Sequence, residues 1–257
     1  MPLVSEPMMS TPATTPEMVP TPPYTDTPPR TTQVMTSNSR PLPTVPCAAL
    51  EDYQAASGWS GFTNMQCRET LIYSINDDGV SVTVTGHADG ISATGPLIIP
   101  QTTTINGTTY TVTKIGDYAF YNCSGLTGSP IIPNSVTSIG TCAFLNCRGL
   151  SGSLTLPNSL TKIWDFAFAN CWGLVGTLTI PNSVTTIGGS AFHNCFGFTG
   201  SLTIGNSVTS IGNGAFRNCS GFTGSLAIPN SVTSIGNVAF CDCSGFTGSL
   251  AIPNSVT

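Results

Sequence analysis

Residues 206–229 read NSVTSIGNGAFRNCSGFTGSLAIP, and the same string, lightly varied, recurs through the later part of the chain. Its anchors keep one spacing. Cys123, Cys147, Cys171, Cys195, Cys219 and Cys243 stand 24 residues apart, as do Phe120, Phe144, Phe168, Phe192, Phe216 and Phe240. Ile115, Ile139, Ile163, Ile187, Ile211 and Ile235 follow suit. A constant period between roughly 20 and 50 residues marks a solenoid, in which each unit is too small to bury its apolar face alone and relies on its neighbours.

One coil can be followed residue by residue. SLTI (Ser201–Ile204) alternates, with Leu202 and Ile204 inward, and reads as a short strand that stacks into a parallel sheet. The next residues turn the chain, by PNS in most coils, where Pro fixes φ and Asn tolerates turn geometry. VTSI is a second short extended piece with Val208 and Ile211 inward. NGAFRNC reads as a single 3₁₀ or helical turn that buries Ala215, Phe216 and Cys219. The expected fold is therefore a β-rich solenoid of 24-residue coils, with a parallel sheet on one side and short 3₁₀ or helical turns on the other.

Composition narrows the function classes. Only 7% of residues are charged, against about 25% in ordinary globular domains. Nine of the twelve acids lie at or before Asp89, and from residue 115 onward three acids face three bases. No basic patch exists, so nucleic acid is not an expected partner. No apolar run reaches about 18 residues, so no membrane insertion is expected within this chain. The first 30 residues show no apolar core after a basic start, and the last, SLAIPNSVT, stop in mid-repeat; a fragment of a longer protein is expected.

Three regions are expected. Residues 1–46 are rich in Pro and Thr, too poor in apolar side chains to offset ordering, and read as a disordered leader. Residues 47–95 read as an N-terminal cap. It holds a hairpin of Leu71–Ile75 against Val80–Thr85 around Asp-Asp-Gly, and the pair Cys47 and Cys67 as a candidate disulfide. Residues 96–257 are the solenoid of about six coils, its first coil enlarged by the Asn-Gly hairpin of INGTTYTV.

The consensus IPNSVTSIGxxAFxNCxGLTGSLTIP, with the leader INGTTYTVTKIGDYAFYNC, resembles the BspA-like leucine-rich repeat family over roughly residues 96–257. The resemblance implies a leucine-rich repeat arc with its parallel sheet on the concave face. It also implies surface-exposed or secreted proteins, many linked to adhesion or matrix binding, and no shared catalytic residue. The chain departs from the pattern in its Pro/Thr leader, in lacking a visible signal peptide, and in lacking a C-terminal cap.

No catalytic set stands out. His87 and His193 are the two histidines, and neither a Gly-x-Ser-x-Gly motif nor a phosphate loop occurs. Asp77, Asp78 and Asp89 lack the spaced ligands of a calcium loop. The six ladder cysteines lack any CxxC pair and read as small buried hydrophobes rather than metal ligands. The asparagines just before them read as structural. Of the sequons at Asn106, Asn122 and Asn218, Asn106 in the inserted hairpin is the candidate glycosylation site. What varies between coils points to a partner-binding patch of Arg148, Trp164, Trp172, His193, Phe196 and Arg217. The expected function is a non-enzymatic, cofactor-free and metal-free monomeric module. It binds a protein or glycan ligand at the cell surface or after secretion. The alternative is a cytoplasmic scaffold, favoured by unpaired cysteines.

Overall fold

In each VTSI segment Val and Ile point to one side and Thr and Ser to the other, so every coil supplies a short strand with one apolar face. The structure, a computed structural model, describes residues 71–257 and, ahead of them, strands β1 (Thr44–Pro46) and β2 (Gln66–Arg68), which pair in parallel. These residues fall within one unit, Leu42–Thr257. Of the expected Cys47–Cys67 pair, Cys67 lies in β2 and Cys47 lies outside the described residues, as does most of the Pro/Thr leader.

Two hairpins open the unit. β3 (Leu71–Ile75) and β4 (Ser81–His87) are antiparallel. In the turn between them Gly79 takes φ 68°, and Asp78 Oδ1 accepts the N–H groups of Val80 at 3.0 Å and Ser81 at 2.9 Å. The Ser81 hydroxyl is the main influence that holds the Asp78 carboxyl below its ordinary range. This carboxylate belongs to turn chemistry. After β5 (Thr94–Ile98), β6 (Thr102–Ile105) and β7 (Thr108–Ile115) form the inserted hairpin, with φ 51° at Asn106 and 81° at Gly107. A tight two-residue hairpin of this twist needs both positive angles. β4 runs parallel to β7, so the first hairpin lies along the end of the repeat's sheet.

From there the coils stack. β8 (Gly125–Ile131) pairs with β5, and β9 (Ser138–Ile139) continues from β7. β10 (Lys162–Ile163), β11 (Leu178–Thr179), β12 (Thr186–Ile187), β13 (Leu202–Thr203), β14 (Ser210–Ile211) and β15 (Ser234–Ile235) follow. β7, β9, β10, β12, β14 and β15 form one continuous parallel ladder with isoleucine opposite isoleucine.

The continuous sheet thus runs through VTSI, whereas the sequence reading gave SLTI the leading role. The SLTI segments form a broken second ladder, β11 with β13 and scattered single bridges. The reason is local. Most SLTI segments run directly into a proline, which has no N–H to donate, and they follow glycines at positive φ (Gly176, φ 82°; Gly224, φ 81°). VTSI is reinforced instead. The hydroxyls of Thr137, Thr161, Thr185, Thr209 and Thr233 each donate to the threonine carbonyl of the preceding coil, at 3.0–3.2 Å. These repeated hydroxyls are therefore structural.

The AFxNC segments are runs of turns closed by i→i−3 hydrogen bonds, such as Cys147 N–H to Phe144 O at 3.1 Å, and no α-helix occurs among the described residues. Behind them the phenylalanines stack. Ring centroids from Phe120 to Phe240 are 4.9–5.4 Å apart and nearly parallel. That spacing is close to the inter-strand distance of about 4.8 Å that the stacked coils impose. From Cys147 on, each ladder thiol reaches the carbonyl of the phenylalanine in the preceding coil; Cys171 Sγ donates to Phe144 O at 3.1 Å.

The asparagines before the ladder do two jobs. Asn122, Asn146, Asn170, Asn194 and Asn218 all sit near φ 60°, a left-handed conformation that asparagine tolerates. Their side chains also join coil to coil: from Asn146 on, each Nδ2 donates to the Oδ1 of the previous asparagine at 2.7–2.8 Å. In the next coil the position is Asp242, which has no amide to donate. Asn170→Ala is expected to cost about 2–3 kcal/mol, from left-handed strain plus two severed bonds in a site only 9% exposed. Asn170→Gly keeps the angle and loses only the bonds, so urea unfolding of the two variants separates the contributions. Equal losses would show that the backbone angle carries nothing.

Candidate ligand-binding face

Positions that differ from coil to coil sit in defined rows. Arg148, Trp172 and Phe196 occupy one row, on three successive coils. The glycine that follows each of them explains why they stand outward. A Cβ on Gly197 would stand 2.5 Å from Leu174 O, so the chain passes too close to the coil below for a side chain there, and the bulk is displaced to its neighbour. The Arg148 guanidinium lies 4.4 Å from the centre of the Trp172 ring. Trp172 and Phe196 stack at 5.7 Å with planes 26° apart. Trp172 is 37% exposed and Phe196 47%. A shallow groove leads on from Phe196, lined by Asn194, Asn218, Ser220, Asp242 and Ser244.

His193 and Arg217 lie on a different row, with Leu145 and Ala169, and both are half-buried. Their carbonyls accept the N–H groups of Asn170 at 2.8 Å and Asn194 at 2.9 Å. Their backbones therefore serve the stacking of coils. Trp164 belongs to a third row, at the end of β10. It is 45% exposed, its Nε1 donates to Ser138 Oγ at 3.1 Å, and Lys162 Nζ lies 5.2 Å from its ring centre. A second groove beside it is lined by Thr83, Lys114, Asp117, Ser138 and Thr141 among others. The sequence reading named Trp164 and passed over Lys114, Ser138 and Lys162. The signal was available, because these three share one register on adjacent strands.

The ladder thiols offer no chemistry of their own. They are free and, from Cys123 to Cys219, fully buried. Burial pushes Cys123 and Cys243 up to about 11 and Cys195 up to about 12, so the thiolate that would attack or bind metal is suppressed. Among the described residues no group of three His, Cys, Asp or Glu is gathered as metal ligands, and no helix is long and apolar enough to cross a membrane. Asn106, the candidate glycosylation site, is exposed at its hairpin tip, whereas Asn122 and Asn218 are engaged in the asparagine ladder.

Known proteins echo this architecture. The chain is similar to a leucine rich cell surface protein from Faecalibacterium prausnitzii, with 28% identity and a TM-score of 0.52 over 70% of this chain and 52% of that one. The chain thus spans about half the length of that relative. It also shares its fold with the T. pallidum leucine rich repeat protein, at 24% identity and a TM-score of 0.55, over 69% of this chain and 88% of that one. No curated protein matches. The BspA type leucine rich repeat region matches residues 113–247 in six copies. With its period, its parallel ladder and its repeated asparagines and cysteines all in that pattern, the chain belongs to the BspA-type leucine-rich repeat family.

Proposed function

We propose that this protein is a non-enzymatic binding module of the cell surface or extracellular space, which engages a protein or glycan partner as a monomer. The observation that carries this reading is the exposed row of Arg148, Trp172 and Phe196 across three coils. A continuous aromatic surface held against a rigid, repeated framework suits recognition. It presents large contact area with few side-chain degrees of freedom to lose on binding. The framework also has few uncommitted groups: threonine hydroxyls, asparagine amides and thiols are engaged in stacking. Proteins of this family are in general non-enzymatic, and one relative is described as a cell surface protein.

The cytoplasmic scaffold draws no support from the ladder cysteines. Their thiols are sealed in the core and donate to carbonyls, so they stay reduced in an oxidising compartment as readily as in a reducing one.

The test is a binding screen of the purified chain against immobilised extracellular matrix proteins and glycans, repeated with Trp172→Ala and Phe196→Ala. A ligand retained by the wild type should bind at least about tenfold more weakly to either variant. A ligand whose affinity ignores both substitutions would remove the row from the interface.

A further inference from the structure

Trp164 stands where the repeat otherwise demands glycine. The equivalent residues are Gly116, Gly140, Gly188, Gly212 and Gly236. A Cβ at Gly188 would lie 2.5 Å from Asp165 N and Trp164 C, and one at Gly140 would lie 2.7 Å from Asp117 N. Coils come too close at this corner for a side chain. The tryptophan coil shows the effect: Trp164 N–H reaches Ile139 O at 3.1 Å, while the same bond is 2.7–2.9 Å at the five glycines. A residue that breaks a local packing rule, yet leaves a ring 45% exposed, marks a functional position better than a core one.

Its surroundings define what that position holds. Lys114, Ser138 and Lys162 lie side by side on β7, β9 and β10, and the two lysines flank the serine. Neither lysine is in an ion pair among the described residues. Asp117 and Asp165 stand nearby, but one oxygen of each is held by a backbone N–H, from Thr141 at 2.7 Å and Gly189 at 2.6 Å. Asp78 lies within the field of Lys114. The groove therefore joins an indole, hydroxyl and carboxylate groups, and the Lys114 ammonium, with the Lys162 ammonium at its edge, 5.2 Å from the centre of the indole ring. An extended peptide has no place here, because the strands are already paired on both sides and offer no open edge.

We propose that this groove binds a saccharide carrying an acidic group. The indole takes the C–H face of a sugar ring. Ser138, Thr141 and Asp117 meet ring hydroxyls. Lys114 and Lys162 pair with a carboxylate or sulfate. The site goes beyond the aromatic row proposed above and does not depend on it.

The experiment uses the full chain and three probes: an oligosaccharide of alternating N-acetylglucosamine and glucuronate, a sulfated counterpart, and an uncharged N-acetylglucosamine oligomer. Calorimetry should show the acidic sugars binding, the uncharged one binding at least about tenfold more weakly, and affinity falling as salt is raised. Whether carboxylate or sulfate is preferred is read from the first two probes. Trp164→Gly restores the repeat's own residue, so its melting temperature should hold or rise by about 2–4 °C, while affinity for the acidic sugar drops at least about tenfold. Lys114→Gln with Lys162→Gln should erase the preference for acid. The proposal is overturned if no acidic sugar binds, if the uncharged oligomer binds equally, if a peptide displaces the sugar from Trp164, or if Trp164→Gly melts well below the wild type. Trp172→Ala serves as the control that separates the two sites: it should leave acidic-sugar binding unchanged, and loss of that binding in Trp172→Ala alone would place the sugar on the aromatic row and overturn this proposal.

Discussion

Raising the pH from about 8 to about 10.5 is expected to unfold the solenoid, and the thiol ladder is the reason. Cys147, Cys171, Cys195 and Cys219 are wholly buried, and each donates its proton to a phenylalanine carbonyl of an earlier coil at 3.0–3.1 Å. Burial pushes Cys195 up to about 12 and lifts Cys147, Cys171 and Cys219 well above the ordinary thiol range. In the unfolded chain a thiol titrates near about 8.5. Below that value both states hold their protons and the ladder's contribution is intact. Above it the unfolded chain releases protons that the native chain keeps, so stability falls with rising pH until the folded values are reached. Each such thiol removes about 1.4 kcal/mol per pH unit, and four remove about 5 kcal/mol per unit. By pH about 10 the loss is about 8 kcal/mol, which rivals the 5–15 kcal/mol that typically holds a domain together.

Urea unfolding under reducing conditions across this range checks the slope. Cys171→Ala deletes one titrating group and should lower the slope by about 1.4 kcal/mol per pH unit, whatever it does to absolute stability. A midpoint that stays flat through pH 10, or a slope unchanged in Cys171→Ala, would show that the thiols are not what couples this fold to pH.

The period, the inward Val, Ile and Phe, and the family could all be read from residues alone, because each is a matter of spacing and every coil repeats the evidence. The choice of leading strand could not. VTSI and SLTI both alternate, and the deciding factors were inter-coil: the missing proline N–H beside SLTI and the threonine hydroxyls that bridge VTSI. The turn geometry was hidden more deeply. Tyr118, Cys142, Phe166, Ser190, Gly214 and Val238 share one left-handed position, at φ 52–59°. Only the glycine among them announces it, and a β-branched valine argues against it. The stacking of neighbouring coils holds that angle, not the residue's own preference.

The patch divides along the same line. Sequence variation found its aromatic members, because a bulky residue among small ones is conspicuous. It could not tell which shared a surface. Trp172 and Phe196 differ by one coil in the same row and stack, whereas Trp164 turns to another side of the coil, towards Ser138 and Lys162. Lysines 114 and 162 escaped notice because each is ordinary by itself, and their relation appears only when strands two coils apart are laid side by side.

Phe168→Ala is expected to be the most damaging single substitution in the core. The ring is fully buried, with Phe144 at 4.9 Å and Phe192 at 5.4 Å on its two faces. Its removal takes away the transfer free energy of an aromatic side chain and leaves a cavity that stacked coils cannot close, because backbone ladders on either side fix their spacing. Such changes cost about 3–5 kcal/mol. Phe240 at the same repeat position is only partly buried and stacks on Phe216 alone at 5.3 Å, so Phe240→Ala should cost less than half as much. The contrast follows from nearest-neighbour stability: a central coil couples two others, and weakening it lowers both interfaces at once. Phe168→Ala should therefore broaden or split the unfolding transition in urea as well as lower its midpoint, while Phe240→Ala should shift it with little change in shape. Equal losses at the two positions, with a single sharp transition in both, would mean that the coils unfold as one indivisible core and that position along the stack carries no weight.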